Sequence, residues 1–262
     1  MLRQRKDYQE ASLFQPKNLL REARRQKTIP EGKIPPVCVL DPDGDIVDYL
    51  LRTEQAIQNP YWACYHSQMV EFANGETKVG MIGNAVGASY AVLLAEQMFV
   101  SGCELLLSIT SAGMICPPDE DQRFVLINKT LRDEGTSYHY LPAEEPSTIQ
   151  ADLLEQLLPL TTIDELGVMI GDSWTTDAPY RETKSAIDYA RQKGVTAVEM
   201  EASALYAFAK ARNKYVVCFA HLTNTMAQDG EDFEKGVENG SIDALRLISR
   251  TIKLLRQARF TR

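Results

Sequence analysis

"VTAVEMEASALYAFAKARN", residues 195–213, changes its pattern at one point. Residues 195–200 form a β-type apolar run, and 201–213 form an alanine-rich run at helical spacing. Glu199 and Glu201 flank Met200 at the join. Charged side chains at the mouth of a buried strand are costly unless something binds them. The stretch therefore predicts a strand feeding a helix, with two carboxylates in need of partners where they meet.

The same alternation recurs along the chain. Strands are expected at 36–40 (PVCVL), 78–83, 103–109 (CELLLSI), 123–127, 166–171, 195–200 and 215–223, with helices at 44–58, 87–101, 148–158, 179–193, 201–213 and 238–259. Nearly continuous apolar strands separated by helices argue for a sheet covered on both faces. The expectation is one α/β domain, a central mixed sheet flanked by helices, over 34–262, preceded by a basic N-terminal arm over 1–33. Ligands of such sheets gather where strands end. The informative stretches are then DPDGD (41–45), GNAVGAS (83–89), TSAG (110–113), GDSWTTDAPYRET (171–183), EMEAS (199–203) and TNTM (223–226).

Composition excludes several classes. A net charge of −8 argues against a dedicated nucleic-acid binder. The charge is uneven: residues 1–33 carry nine Lys/Arg against four Asp/Glu, so the arm is +5 and the remainder −13. Such an arm reads as a solvated helix, or as one that reaches a neighbouring subunit. Five cysteines form no CxxC pair, which suits buried, reduced thiols. The first residues lack an apolar signal region, and no apolar run approaches the roughly 20 residues of a membrane span. A cytoplasmic chain without membrane contact is expected. No His/Cys cluster has metal-ligand spacing, so neither a metal nor an organic cofactor is expected.

"VCVLDPDGDIV" (37–47) taken alone resembles the first motif of a haloacid dehalogenase-type, Mg²⁺-dependent phosphatase, with Asp41 as nucleophile. The lysine of that scheme should precede the acidic "VMIGDSWTTD", whereas Lys193 follows it. DPDGD also lacks the downstream glutamate of an EF-hand.

The later motifs resemble another family. "VEMEASALYAFA" is similar to the ribose-binding segment of the nucleoside phosphorylases, in the uridine phosphorylase-like branch. "GNAVGASYAVLLAEQMFVSGCELLLSITSAG" (83–113), "LRDEGTSYHY" (131–140) and "GDSWTTDAPYRET" follow the family's order. The resemblance implies that Glu201 accepts hydrogen bonds from the ribose hydroxyls, that Met200 floors the sugar, and that Glu199 braces the site. The bland alternative makes Glu201 the cap of the helix beginning at Ala202. Trp174 would stack near sugar and base, while Asp177 and Arg181 lie on the loop that reads the base edge. Asn224 stands where purine-preferring relatives place an aspartate, and asparagine cannot act as an acid. A pyrimidine nucleoside such as uridine is the expected substrate. His221 is expected to face sheet packing.

The resemblance fails at the phosphate site. The family's three phosphate arginines fall at Ile46 or Asp45, at Cys64 and at Ser108, and Ser111 alone stands opposite the threonine. Without those cations a dianion loses its charge-assisted bonds, and Asp41, Asp43 and Asp45 add repulsion. Three outcomes are open. Phosphate binds through substitutes such as Arg132, His66 or the arm's Arg24 and Arg25 reaching over from a partner subunit; water attacks with Asp43 or Asp45 as general base; or the site binds a nucleoside without cleaving it. The nucleophile would arrive on the face of Asp43, Ser108, Ser111 and Arg132. The resemblance also implies a homo-oligomer, a dimer or trimer of dimers, with His66 or His139 donated across an interface.

Overall fold

The computed structural model describes residues 7–8, 10–116, 122–224 and 234–259. Apolar runs dictate its sheet. β1 (Val37–Asp41) and β9 (Val195–Glu199) are buried at all five positions, and β10 (Tyr215–Asn224) along most of its length. With β4 (Thr77–Gly83), β5 (Leu105–Met114), β6 (Phe124–Asp133) and β8 (Val168–Thr176) they form the body of the sheet. The short β2 (Ala56–Gln58), β3 (Val70–Asn74) and β7 (Ser147–Thr148) complete ten strands in order β10-β6-β8-β9-β5-β1-β4-β3-β2, with β7 against β6. The sheet is mixed: β5 runs parallel to β1 and β10 but antiparallel to β9. Because β10 pairs with both β5 and β6, strands β5, β9, β8, β6 and β10 close into a ring.

Helices cover this sheet. α3 (Ala88–Ser101) and α6 (Ala202–Arg212) are the most enclosed. Residues 202–209 of α6 are buried without a break, which its alanines permit by letting backbones approach closely. Tyr206 anchors it: the hydroxyl donates to Ile127 O at 2.7 Å and accepts from Cys218 N at 3.0 Å. α2 (Asp45–Arg52), α4 (Ala151–Leu157), α5 (Lys184–Gln192) and α7 (Ser241–Arg259) are amphipathic or short. In α7 the spacing predicts a stripe of Ile242, Leu245, Ile248, Ile252 and Leu255; Ile248, Ile252 and Leu255 are buried, while Leu247 joins them and Ile242 and Leu245 are half-buried. The cysteines are free, and Cys38, Cys64, Cys103 and Cys218 are buried. Among the described residues no helix is long and apolar enough to cross a membrane.

Several elements differ from expectation. β5, β6 and β8 run several residues beyond their apolar cores, because the polar residues that follow still find ladder partners, on one side or both. The helix expected to reach 58 stops at Arg52, where Glu54 turns left-handed (φ 56°) and the chain pairs as β2. The helix expected from 179 starts at Lys184, capped by the Thr183 hydroxyl. Helix α1 (Pro16–Lys27) lays Leu20 and Ala23 on Ala63, and Lys27 Nζ donates to Cys64 O at 2.7 Å. Its arginines are engaged locally, Arg24 with Pro30 O and Glu31, Arg25 with Glu22.

Candidate active site

Strand β5 changes partners part-way along one edge. Residues 105–108 pair with β1, and Gly113–Met114 pair with β9 running the other way. Residues 109–112 lie in the gap between, a switch point of the kind where α/β sheets bind ligands. Three segments converge there: the turn after β1, the turn before α3, and the Glu-Met-Glu junction.

The two junction glutamates divide their work. Glu199 Oε2 accepts from Glu201 N and Ala202 N, both at 2.7 Å, so Glu199 holds the start of α6. Its Oε1 accepts from the hydroxyls of Ser173 (2.9 Å) and Thr175. The capping that the bland reading gave to Glu201 thus falls to Glu199. Glu201 reaches instead across the fold, where its Oε1 accepts from Gly87 N at 2.6 Å. Its Oε2 is buried and has no hydrogen-bond partner among the described residues. Burial, and then the charge of Glu199, push the Glu201 carboxyl up to about 8, against the pull of the Gly87 N–H and the Thr110 hydroxyl. Burial raises Glu199 as well, though four donors oppose it. Met200 between them is half-buried.

On the turn after β1 the aspartates have separate fates. Asp41 is buried, and its carboxylate accepts from Gly44 N, Ile46 N and Val47 N at 3.2, 2.9 and 3.0 Å. Burial pushes it up to about 7, with the Asp43 charge adding to the rise. It shapes the turn into α2, and a carboxylate so enclosed is no phosphatase nucleophile. Asp43 Oδ2 accepts from both Ser111 N (3.0 Å) and Ser111 Oγ (2.5 Å), inside the β5 gap. Asp45 faces the other way, 2.6 Å from Lys235 Nζ and 3.0 Å from Asn239 Nδ2. Lys235 Nζ also stands 3.5 Å from Asp43 Oδ2. Nothing in "EKGVENG" (234–240) marks Lys235 in the sequence, where it reads as one more charge on a solvated loop.

Other expected site residues are placed differently. Ser108 is buried in the ladder between Leu40 and Cys218, below the gap. Arg132 gives its guanidinium to Ser137 Oγ and the carbonyls of Leu141, Pro142 and Glu145, and so braces the 137–145 loop. Trp174 is buried among Ile115, Ala190, Val195 and Val198, and its Nε1 donates to Asp133 Oδ2 at 3.1 Å. Ser173 and Thr175 touch Glu199, so by strand alternation Trp174 points to the opposite face of the sheet, away from the carboxylates. Asp177 Oδ2 accepts from Gly135 N at 2.8 Å and ties two loops together, while Arg181 is exposed on the short turn Pro179–Arg181. Asn224 closes β10; Thr225 and Met226 of the TNTM stretch lie outside the described residues. His221 is buried and stacked on Phe124 at 4.6 Å, as expected of a packing residue. Among the described residues no group of three or more His, Cys, Asp or Glu is placed to hold a metal ion.

This arrangement has known counterparts. The family model of the phosphorylase superfamily matches residues 47–253, most of the chain. The chain belongs to the phosphorylase superfamily. Its similarity to individual superfamily members is low. It is 29% identical over 168 residues to the uncharacterised protein R802 of Acanthamoeba polyphaga mimivirus, covering 64% of this chain and 65% of that one. Over 188 residues it is 22% identical to a guanosine phosphorylase of Halorubrum lacusprofundi, covering 70% and 76%. Over 173 residues it is 27% identical to a uridine phosphorylase of Thermococcus kodakarensis, covering 58% and 62%. Two of these matches span slightly less than two thirds of the relative. In fold, the chain is similar to the purine nucleoside phosphorylase of Toxoplasma gondii in complex with immucillin-H, with TM-score 0.72, 16% identity and coverage of 86% and 93%. It is also similar to the uridine phosphorylase of Vibrio fischeri, with TM-score 0.69, 18% identity and coverage of 86% and 92%. The superfamily's α/β architecture is therefore the one the motifs implied, and the phosphatase alternative is set aside.

Proposed function

We propose that the protein cleaves the N-glycosidic bond of a pyrimidine nucleoside such as uridine, with water as the nucleophile. The observation that carries the reading is Glu201. A buried carboxylate oxygen without a donor is expensive, and the paired hydroxyls of a ribose would supply donors of the charge-assisted class. Held there, the carboxylate would also stabilise positive charge building at C1′.

Asp43 supports water over phosphate. Its carboxylate already holds both donors of Ser111, where the resemblance puts phosphate. A dianion would have to displace it and then lie beside Asp43 and Asp45, with Lys235 alone against them. Water needs only a base. Its oxygen bonds to C1′, its proton passes to Asp43, and the C1′–N electrons leave with the base, which is then protonated. The products are ribose and free base. Arg181 and Asp177 would read the base edge, Met200 would floor the sugar, and Asn224 would bind the base without protonating it. The open face of the gap suits a homo-oligomer, and the site calls for no metal or organic cofactor. A cytoplasmic location fits the reduced thiols.

Phosphorolysis is the second reading, favoured by the guanosine and uridine phosphorylases among the relatives. One assay separates the two. Release of free base from uridine, thymidine, inosine and adenosine is followed with and without phosphate. Release from uridine without phosphate, lost in Asp43→Asn, is the expected result. Strict phosphate dependence would establish phosphorolysis instead, and nucleoside binding without release under either condition would leave a binding protein.

A further inference from the structure

Lys235 sits on backbone that is bent at a cost. The chain returns to the sheet at Glu234, whose N–H donates to Thr223 O at 2.8 Å. Four of the next six residues then adopt left-handed φ: Gly236 (86°), Glu238 (52°), Asn239 (52°) and Gly240 (76°). Two of them are not glycine, and such residues persist only where surrounding contacts over-determine them. Gly240 could carry no side chain, since a Cβ there would collide with the His221 ring and stand 2.6 Å from Lys235 O. Side-chain contacts pin the turn. Glu238 pairs with Arg52, Asn239 Nδ2 donates to Asp45 Oδ1, and Ser241 Oγ donates to Asp45 O at 3.1 Å. An ordinary surface ion pair needs no such scaffold, because a lysine stem is long and flexible. Here the lysine side chain is four-fifths covered, with its ammonium set between two aspartates that flank the gap.

We propose that Lys235 is a positioning residue for the nucleophilic step: locked onto Asp45, its ammonium keeps Asp43 an oriented anion on the Ser111 donors. The inference rests on the hydrolytic reading and deepens it. Asp43 is faced by Asp41 at the end of β1, Asp45 on α2, Ser111 on β5, His221 on β10, and Lys235. His221 is pushed down to about 4, chiefly by burial, so it is uncharged at neutral pH. Among the described residues the cation that faces Asp43 is Lys235, whose Nζ stands 3.5 Å from Oδ2.

The test reads the orientation of Asp43 through turnover. Base release without phosphate is measured in the wild type, Lys235→Met and Lys235→Arg, with thermal stability followed alongside. In Lys235→Met kcat should fall about tenfold or more while KM changes little. Lys235→Arg should restore most of the lost kcat. If Lys235→Met does not fold, Asn239→Ala, which keeps the lysine but loosens its clamp, should show a smaller fall in kcat at unchanged KM. An unchanged kcat, or one that falls only as thermal stability falls and is not restored by arginine, would overturn the role. A wild type that releases no base without phosphate would overturn the hydrolytic reading itself, whatever the variants show.

Discussion

Replacing Glu201 with glutamine should make the ligand-free protein more stable while destroying its binding of nucleosides. The carboxyl sits at about 8 in the folded chain against an ordinary 4.5. The folded state therefore keeps a proton that the unfolded chain releases. Stability from this group is full below the unfolded value and is lost as pH rises towards the folded one. The gap of about 3.5 units, at 1.36 kcal/mol each, costs the wild type about 5 kcal/mol above pH 8. Glutamine carries no charge at any pH and keeps an acceptor for the Gly87 N–H. Its new amide N–H groups have only the Thr110 hydroxyl nearby, which returns about 1–3 kcal/mol. The net gain at pH 9 is then about 2–4 kcal/mol, or roughly 4–16 °C in Tm for a chain of this size. Near pH 5 the carboxyl is neutral in the folded chain, the gain falls below about 1 kcal/mol, and the unsatisfied amide leaves the glutamine protein level with the wild type or less stable. Glu199 is present in both proteins and cancels to first order. Thermal or urea unfolding at pH 5, 7 and 9 reads the difference, and excess uridine should stabilise the wild type alone. Parallel stability profiles for the two proteins over that range would refute the argument that Glu201 is held at a cost for a ligand.

Three further substitutions test the packing around the site. Arg132→Ala removes four hydrogen bonds that brace the 137–145 loop; urea unfolding should show a loss of about 2–4 kcal/mol, with the phosphate dependence of base release unchanged. Gly240→Ala places a Cβ against His221 and Lys235 O at a left-handed φ; Tm should fall by the equivalent of about 3 kcal/mol or more, and wild-type stability would disprove the crowding. Tyr206→Phe leaves Cys218 N and Ile127 O without their buried partner; a cost of about 1–3 kcal/mol is expected from equilibrium unfolding.

How far the site was legible depends on which physical rule fixes each residue. The Glu-Met-Glu junction could be read because a strand, a helix and two acids are all local features. Which acid caps the helix could not, since it depends on Gly87, more than a hundred residues away, offering Glu201 a different partner. The face that Trp174 takes was hidden for a simpler reason. The apolar run of β8 ends near Gly171, but the strand continues to Thr176 because its polar residues still pair with β6 and β9. Once the strand is extended, alternation alone sends Ser173 and Thr175 to one face and Trp174 to the other.

Ser108 and Ser111 show a different limit. They lie three residues apart on one strand, and only the change of partner from β1 to β9 decides that Ser111 meets a carboxylate while Ser108 is sealed in the ladder. Pairing between distant strands leaves no local trace, so spacing could not separate them. Lys235 lay beyond local reading for a further reason: its position is set by four left-handed residues and by contacts with Arg52 and Asp45, nearly two hundred residues away. The family's phosphate arginines are absent from their expected positions, and the cation beside the gap comes from a different segment and is paired with acids. A site that keeps a buried, half-partnered carboxylate at Glu201 while filling the Ser111 donors with an aspartate fits the nucleoside proposed above. It is poorly built for a second anion, and the choice between water and phosphate turns on whether Asp43 stays on Ser111 when substrate arrives.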